Sequence, residues 1–279
     1  MKQRIISGVV IAVLAIALGL VGGLTIALVL CGCALIGYYE LVRACKVHGE
    51  GERTNALEVA GFAATVIYYF GLAFGGRVIS ANLFTLVVVI ALVLVLMAIY
   101  VFTFPKYHAD QVMAAAFCFI YAPVMISCIY RARLLPYGLY IYALIFFCSW
   151  ICDTCAYASG MLFGKHKLVP VLSPKKTIEG SIGGVIGSAL LCLGAAFVLE
   201  YQYPEEHLQL QFLIIGICGS IISQIGDLAA SAIKRNHQIK DYGTCIPGHG
   251  GIMDRFDSVI FTAPIIYFLA VLFLQHVIG

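Results

Sequence analysis

From Ile5 to Tyr39 the chain runs for 35 residues without a single charged side chain. As one helix that stretch would be about 52 Å long at 1.5 Å per residue. A hydrocarbon layer of roughly 30 Å needs only about 20 apolar residues per crossing. Gly19, Gly22 and Gly23 offer a tight hairpin in the middle, so the stretch reads as two spans, 5–21 and 23–42. Comparable apolar runs follow at 57–76, 81–103, 111–130, 137–162, 180–201, 211–233 and 252–277. The count is nine, or eight if the first two merge.

Composition agrees with this reading. Hydrophobic residues make up 62% of the chain and charged residues 11%, against roughly 45–50% and 25% in soluble domains. A soluble surface of this size cannot be covered by 17 basic and 14 acidic side chains. The net charge of +3 is too small to argue for a nucleic-acid partner. The 11 cysteines lie mostly inside apolar runs, among them Cys31, Cys118, Cys148 and Cys192, and read as packing residues without a disulfide framework. Lys2 and Arg4 before an apolar stretch resemble a signal peptide. No clear small-x-small cleavage site follows, so a retained first helix is expected.

The basic residues set the direction. With the N-terminus inside, fourteen of them fall on the cytoplasmic side and only Arg77, Arg131 and Arg133 outside. Merging the first two helices would scramble this bias. The expected fold is an all-α polytopic membrane protein of about nine transmembrane helices, N-terminus cytoplasmic and C-terminus external. Residues 1–135 read as a lipid-facing scaffold and 136–279 as the part carrying chemistry. Two polar connections, 163–179 and 234–251, face the cytoplasm.

In that second part the acids enter the apolar runs. Asp153 lies in the sixth, Asp227 in the eighth, and Asp254 and Asp257 open the ninth. A carboxylate at mid-bilayer costs roughly 2.5–3.5 kcal/mol on insertion scales, so such residues line a bundle interior or a wet cavity. For one Asp, structural pairing with a nearby base is a serious rival; for four at matching depth a shared polar site is the better account. Asp227, Ser231 and Lys234 fall on one helical face, as do Asp254, Asp257 and Ser258. Flanked by Arg235 and Arg255, such faces suit hard divalent cations, and Mg²⁺ commonly takes one or two carboxylates plus substrate phosphates. Gly248, Gly250 and Gly251 precede a helix N-terminus, which favours an anion. Lys175 and Lys176 stand at the mouth of the seventh helix, where an ordinary positive-inside loop is the competing reading. Cys152 and Cys155 pack more readily than they bind zinc, since no second cysteine pair stands at the right spacing. Overlapping small-xxx-small patterns at Gly180/Gly184 and Gly183/Gly187 suit close helix packing within the chain or, more sharply, a homodimer.

The segment Ser231-Ala-Ile-Lys234-Arg235, then Lys240-Asp241-x-Gly243-x-x-Ile246-Pro247-x-His249-Gly250-Gly251-Ile-x-Asp254-Arg255-Phe256-Asp257, resembles the signature of the phosphatidate cytidylyltransferase (CDP-diacylglycerol synthase) family. It does so without a departure over 27 positions. Asp153-x-x-Ala156-Tyr157-x-x-Gly160-x-x-Phe163-Gly164-Lys165, Ser173-Pro174-Lys175-Lys176-Thr177-x-Glu179-Gly180 and Ser223-Gln224-x-Gly226-Asp227-Leu228 resemble the same family. The likeness covers roughly 150–258. It implies the reaction of CTP with phosphatidate to give CDP-diacylglycerol and pyrophosphate. It also implies Mg²⁺, with a second cation left open, and a cytosol-facing site in the C-terminal helices. Asp227 and Asp254 become first-choice metal ligands, with Asp257 and Ser231 next. Lys175, Lys176, Lys234, Arg235, Lys240 and Arg255 would meet phosphates, and Gly250 and Gly251 would offer backbone donors. His249 is left with two roles, proton donor to the leaving group or orienter of the loop.

Rival readings are a CDP-alcohol phosphatidyltransferase, whose paired-Asp signature does not occur here, and a CTP-dependent polyprenol kinase. From another class, an ion-coupled transporter would place carboxylates at mid-bilayer in repeated halves, and residues 1–140 hold no second copy. A bacterial inner membrane is the expected location.

Overall fold

The computed structural model describes residues 2–48, 54–75, 80–245 and 250–274, with backbone alone for 2–7. Each expected apolar run coincides with one helix: α1 (Lys2–Val21), α2 (Gly23–Ala44), α3 (Ala56–Phe74), α4 (Ala81–Phe102), α5 (Ala109–Arg133), α6 (Gly138–Phe163), α7 (Ile178–Gln202), α8 (Gln209–Asn236) and α9 (Met253–Phe273). Among the described residues, α2 to α9 are long and apolar enough to cross a membrane, and the apolar part of α1, Gly8–Val21, is shorter. Gly22 and Gly23 both adopt positive φ (62° and 58°) between α1 and α2, the left-handed geometry that glycine takes at little cost.

The connection 163–179 departs from an all-helical description. Lys167–Val169 (β1) pairs antiparallel with Ser173–Thr177 (β2). Strands of three and five residues are too short to announce themselves by alternation.

The chain forms two compact units. The first comprises Met1–Ser127 and His237–Arg255. Its α4 buries only Val88, Leu92 and Leu96, a single i, i+4, i+8 stripe, and turns Leu83, Leu86, Ile90 and Leu94 outward as a lipid-facing helix should. Tyr68 passes its hydroxyl to Ser127 Oγ at 2.8 Å, and the Tyr69 hydroxyl donates to the Pro123 carbonyl at 3.1 Å. Pro123 lies in a wide turn, Ile120–Val124, the local loosening that a helix adopts around a residue without an N–H. Asn55 caps α3: its Oδ1 accepts Glu58 N–H at 2.9 Å, and its Nδ2 donates to the Val47 carbonyl at 2.9 Å.

The second unit comprises Cys128–Asn236 and Phe256–Gly279. Here α7 packs on α6 through its glycines. A side-chain carbon on Gly180 would stand 2.8 Å from the Ala156 carbonyl oxygen, and one on Gly184 would stand 2.9 Å from that of Cys152. Gly183 and Gly187 meet Ser159 and Cys155 of the same helix. Packing within the chain therefore takes up all four members of the small-xxx-small patterns. Arg131, though only 6% exposed, donates to the Tyr267 hydroxyl at 2.8 Å and lies over that ring at 4.3 Å from its centroid. All eleven cysteines are free thiols.

Candidate active site

Why the lysines of the 163–179 connection stand where they do follows from the start of α7. Thr177 caps that helix, its Oγ1 accepting Gly180 N–H at 3.1 Å. Glu179, in the first turn, reaches back: its carboxylate accepts the N–H groups of Lys165 (3.1 Å) and His166 (3.2 Å) and meets His166 Nδ1 at 2.6 Å. An acidic side chain in a first turn also suits the positive end of the helix. The hairpin is thereby tied to α7, and Lys175 and Lys176 line a cavity of about 280 Å³ together with Asp153, Tyr157, Ser181 and Gln224. The Gln224 side chain is held by Ser181, which donates to its Oε1 at 2.5 Å and accepts from its Nε2 through the backbone carbonyl at 3.2 Å.

Asp153 lines that cavity, and Asp227 reaches it through Lys176. Lys176 Nζ forms an ion pair with Asp227 Oδ2. Asp153 lies in the field of Asp227 and Lys176, while Asp257 lies in that of Asp227, Lys234 and Asp153. A wide turn, Phe147–Ile151, immediately precedes Cys152 and Asp153, and such turns often mark functional positions in helices. Ser149 within it meets Ser258 of α9 at 2.6 Å, one residue beyond Asp257. Gly226 gives α9 room: a side-chain carbon there would stand 2.9 Å from the Asp257 carbonyl oxygen. Three helices and a hairpin thus bring together Asp153, Asp227, Asp257, Lys176 and Lys234. Ser231 stands one turn beyond Asp227 on α8, and Arg235 is exposed near its end.

The donor set is one of hard oxygens with ammonium groups among them, which suits a divalent cation and phosphates together. Among the described residues no three His, Cys, Asp or Glu side chains converge tightly enough to hold an ion by themselves. Mg²⁺ commonly keeps several ligand positions for water and substrate phosphate.

Asp254, Gly250 and Gly251 belong to a network in the first unit. Asp254 is 6% exposed, and its Oδ2 accepts the N–H of Tyr242 at 2.8 Å and of Gly251 at 3.0 Å. Gly250 adopts φ 85°, with Asp254 against it. Lys240 and Arg255 are exposed. His249 and Gly248 lie outside the described residues.

Sequence reasoning passed over Glu40. It is 3% exposed, and its Oε1 and Oε2 accept the N–H groups of Ile252 (3.1 Å) and Met253 (2.8 Å). The available signal was the one applied to the four aspartates, an acid inside an apolar run. At the end of the run 23–42 it reads as an ordinary interfacial residue. Glu179 was seen only as part of a motif.

The chain is similar to known proteins along nearly its whole length. The family model described as "Cytidylyltransferase family" matches residues 2–273. The chain is 35% identical to a phosphatidate cytidylyltransferase of Bacillus subtilis (strain 168) over 278 residues, 98% of each chain. It is 34% identical to one of Staphylococcus haemolyticus (strain JCSC1435) over 275 residues, 97% of this chain and 99% of that one. Over 139 residues, 50% of this chain and 46% of the relative, it is 46% identical to one of Synechocystis sp. (strain ATCC 27184 / PCC 6803 / Kazusa). With a match running from the first helix to the last, this chain belongs to the cytidylyltransferase family.

Proposed function

We propose that the chain transfers the cytidylyl group of CTP to phosphatidate, giving CDP-diacylglycerol and pyrophosphate. The observation that carries this is end-to-end similarity to relatives named phosphatidate cytidylyltransferase. The cluster of carboxylates and lysines at the cavity supplies the chemistry.

Phosphatidate bears a phosphate monoester, whose second pKa should be about 6 by analogy with phosphorylated side chains. Its oxygen is therefore largely ready to attack. It forms the bond to the α-phosphorus of CTP, the bond from that phosphorus to the bridging oxygen breaks, and the electron pair leaves with pyrophosphate. The barrier lies in bringing two polyanions together and holding the attacking and leaving oxygens in line. Lys175 and Lys176 meet phosphate on the hairpin side of the cavity, and Lys234 on the α8 side. Arg235, Lys240 and Arg255 are further phosphate contacts. A phosphate arriving at the cavity competes with Asp227 for the Lys176 ammonium, so the resting ion pair opens as substrate binds. Asp227 and Asp257 would hold Mg²⁺. When bound, Mg²⁺ supplies positive charge to the phosphoryl oxygens in flight. No residue of a Ser or Cys nucleophile triad is needed.

Nine spans, a cytoplasmic N-terminus and an external C-terminus complete the reading, supported by fourteen cytoplasmic basic residues against three. The site then faces the cytoplasm, where CTP is, in a bacterial inner membrane. Residues 136–279 carry most of the site, with 1–135 as scaffold. A homodimer would have to use a face other than the glycine face of α7.

The test is purified protein with Mg²⁺, labelled CTP and phosphatidate in detergent. Label should enter a liponucleotide and pyrophosphate should appear in equal amount. Label that never enters lipid, together with solute movement in vesicles, would sink the enzyme reading.

A further inference from the structure

Glu40 stands out as the one acid of α2, enclosed by protein at 3% exposure. A carboxylate buried without partners would cost several kcal/mol, yet its partners are not bases. Ile252 and Met253 donate to its two oxygens, and the Cys245 side chain hydrogen-bonds to it as well. Met253 begins α9, so Glu40 satisfies N–H groups that the helix itself leaves open. It also places negative charge at the positive end of α9. Ordinarily a residue next to the helix does this; here another helix does it from 213 positions away.

The surrounding backbone is cut to this carboxylate. A side-chain carbon on Gly243 or on Gly251 would overlap Glu40. Asp254 works from the opposite direction, taking the N–H groups of Tyr242 and Gly251. Two acids therefore hold the backbone at Tyr242 and at Gly251, Ile252 and Met253, Asp254 from the first turn of α9 and Glu40 from α2. The glycines at 243 and 251 are required by a close approach rather than by backbone angles, as neither has positive φ.

We propose that Glu40 is a positioning residue for the reaction. It holds the backbone at Gly243, Gly251, Ile252 and Met253 in the one arrangement in which the first turn of α9 presents the exposed Arg255 to substrate phosphate. This rests on the cytidylyl-transfer reading above. It makes the amino-terminal helices part of the catalytic apparatus as well as its support.

Glu40→Gln keeps the size but turns an amide NH₂ toward a backbone N–H, so one clasp contact is lost. Gly243→Ala keeps the carboxylate as a chemical group but pushes it aside from the other side, a second route should the first variant fold poorly. In both, kcat is expected to fall about tenfold or more, since a misplacement near 1 Å can cost on the order of 100-fold. Amide hydrogen exchange at Tyr242 and at Gly251 to Met253 should quicken in the same variants. Asn55→Ala, which weakens the same unit at the start of α3, serves as a control matched for lost stability and should keep wild-type kcat per folded molecule. The inference is overturned if both variants turn over within about twofold of wild type, or if they slow without any change in exchange at those amides. It is also overturned if Asn55→Ala slows equally, because a general loss of stability then explains the effect. A wild-type chain that makes no liponucleotide defeats the transfer reading itself, an outcome distinct from variants as fast as an active wild type.

Discussion

Lys176 of the β-hairpin is paired with Asp227 of α8, joining the two motif stretches that lie 51 residues apart in sequence. The two side chains are 28% and 30% exposed, and a partly exposed pair contributes about 0–1 kcal/mol. Stability alone therefore gives little reason for its presence. Asp227→Asn should lower turnover by about 100-fold or more, the scale of losing one electrostatic stabiliser at a reacting phosphate. Its unfolding midpoint in detergent should stay close to wild type. Turnover near wild type would remove Asp227 from the site.

Lys176→Ala should act differently. With the ammonium gone, the apparent KM for a phosphate-bearing substrate rises at least severalfold, and the remaining activity becomes less sensitive to added salt. Steady-state kinetics at two ionic strengths distinguish this from a purely structural pair, for which neither quantity would move.

The α6–α7 contact should tolerate no side chain at its centre. Gly180→Val places carbon against the Ala156 carbonyl and against Gly160, and overpacking of this kind costs about 1–3 kcal/mol. A lower melting temperature in detergent is expected. Gly194 on the same helix has nothing within 4 Å of the corresponding position, so Gly194→Ala should leave the melting temperature unchanged or slightly raised.

Asn55→Ala removes a helix cap and leaves Val47 with one donor fewer, Gln111 still contributing at 2.9 Å. Loss of a cap costs about 1 kcal/mol, and a buried hydrogen bond to the backbone adds about 1 kcal/mol. Thermal unfolding should report about 2 kcal/mol of destabilisation with specific activity unaltered.

Orientation is open to direct measurement. A tag after Gly279 should be protected in inverted vesicles and accessible on whole spheroplasts, whereas a reagent confined to the cytoplasmic face should reach Cys245, which is exposed. A C-terminal tag accessible from the cytoplasm would reverse the topology.

The sequence by itself determined where the helices are. Hydropathy over about 20 residues is a local property, and a bilayer demands that length whatever the rest of the chain does. So the runs 23–42 and 81–103 reappear as Gly23–Ala44 and Ala81–Phe102. The acids at 153, 227, 254 and 257 were legible for the same reason, as each is costly in its own window. Tertiary structure alone decided which partner each acid meets. Asp227 meets Lys176 across a hairpin too short to be seen by alternation, and Asp254 turns to the backbone of Tyr242 and Gly251. Glu40 caps a helix 213 residues away. Such pairings depend on how each helix is rotated about its axis and how deep it sits, and no window of sequence contains either quantity.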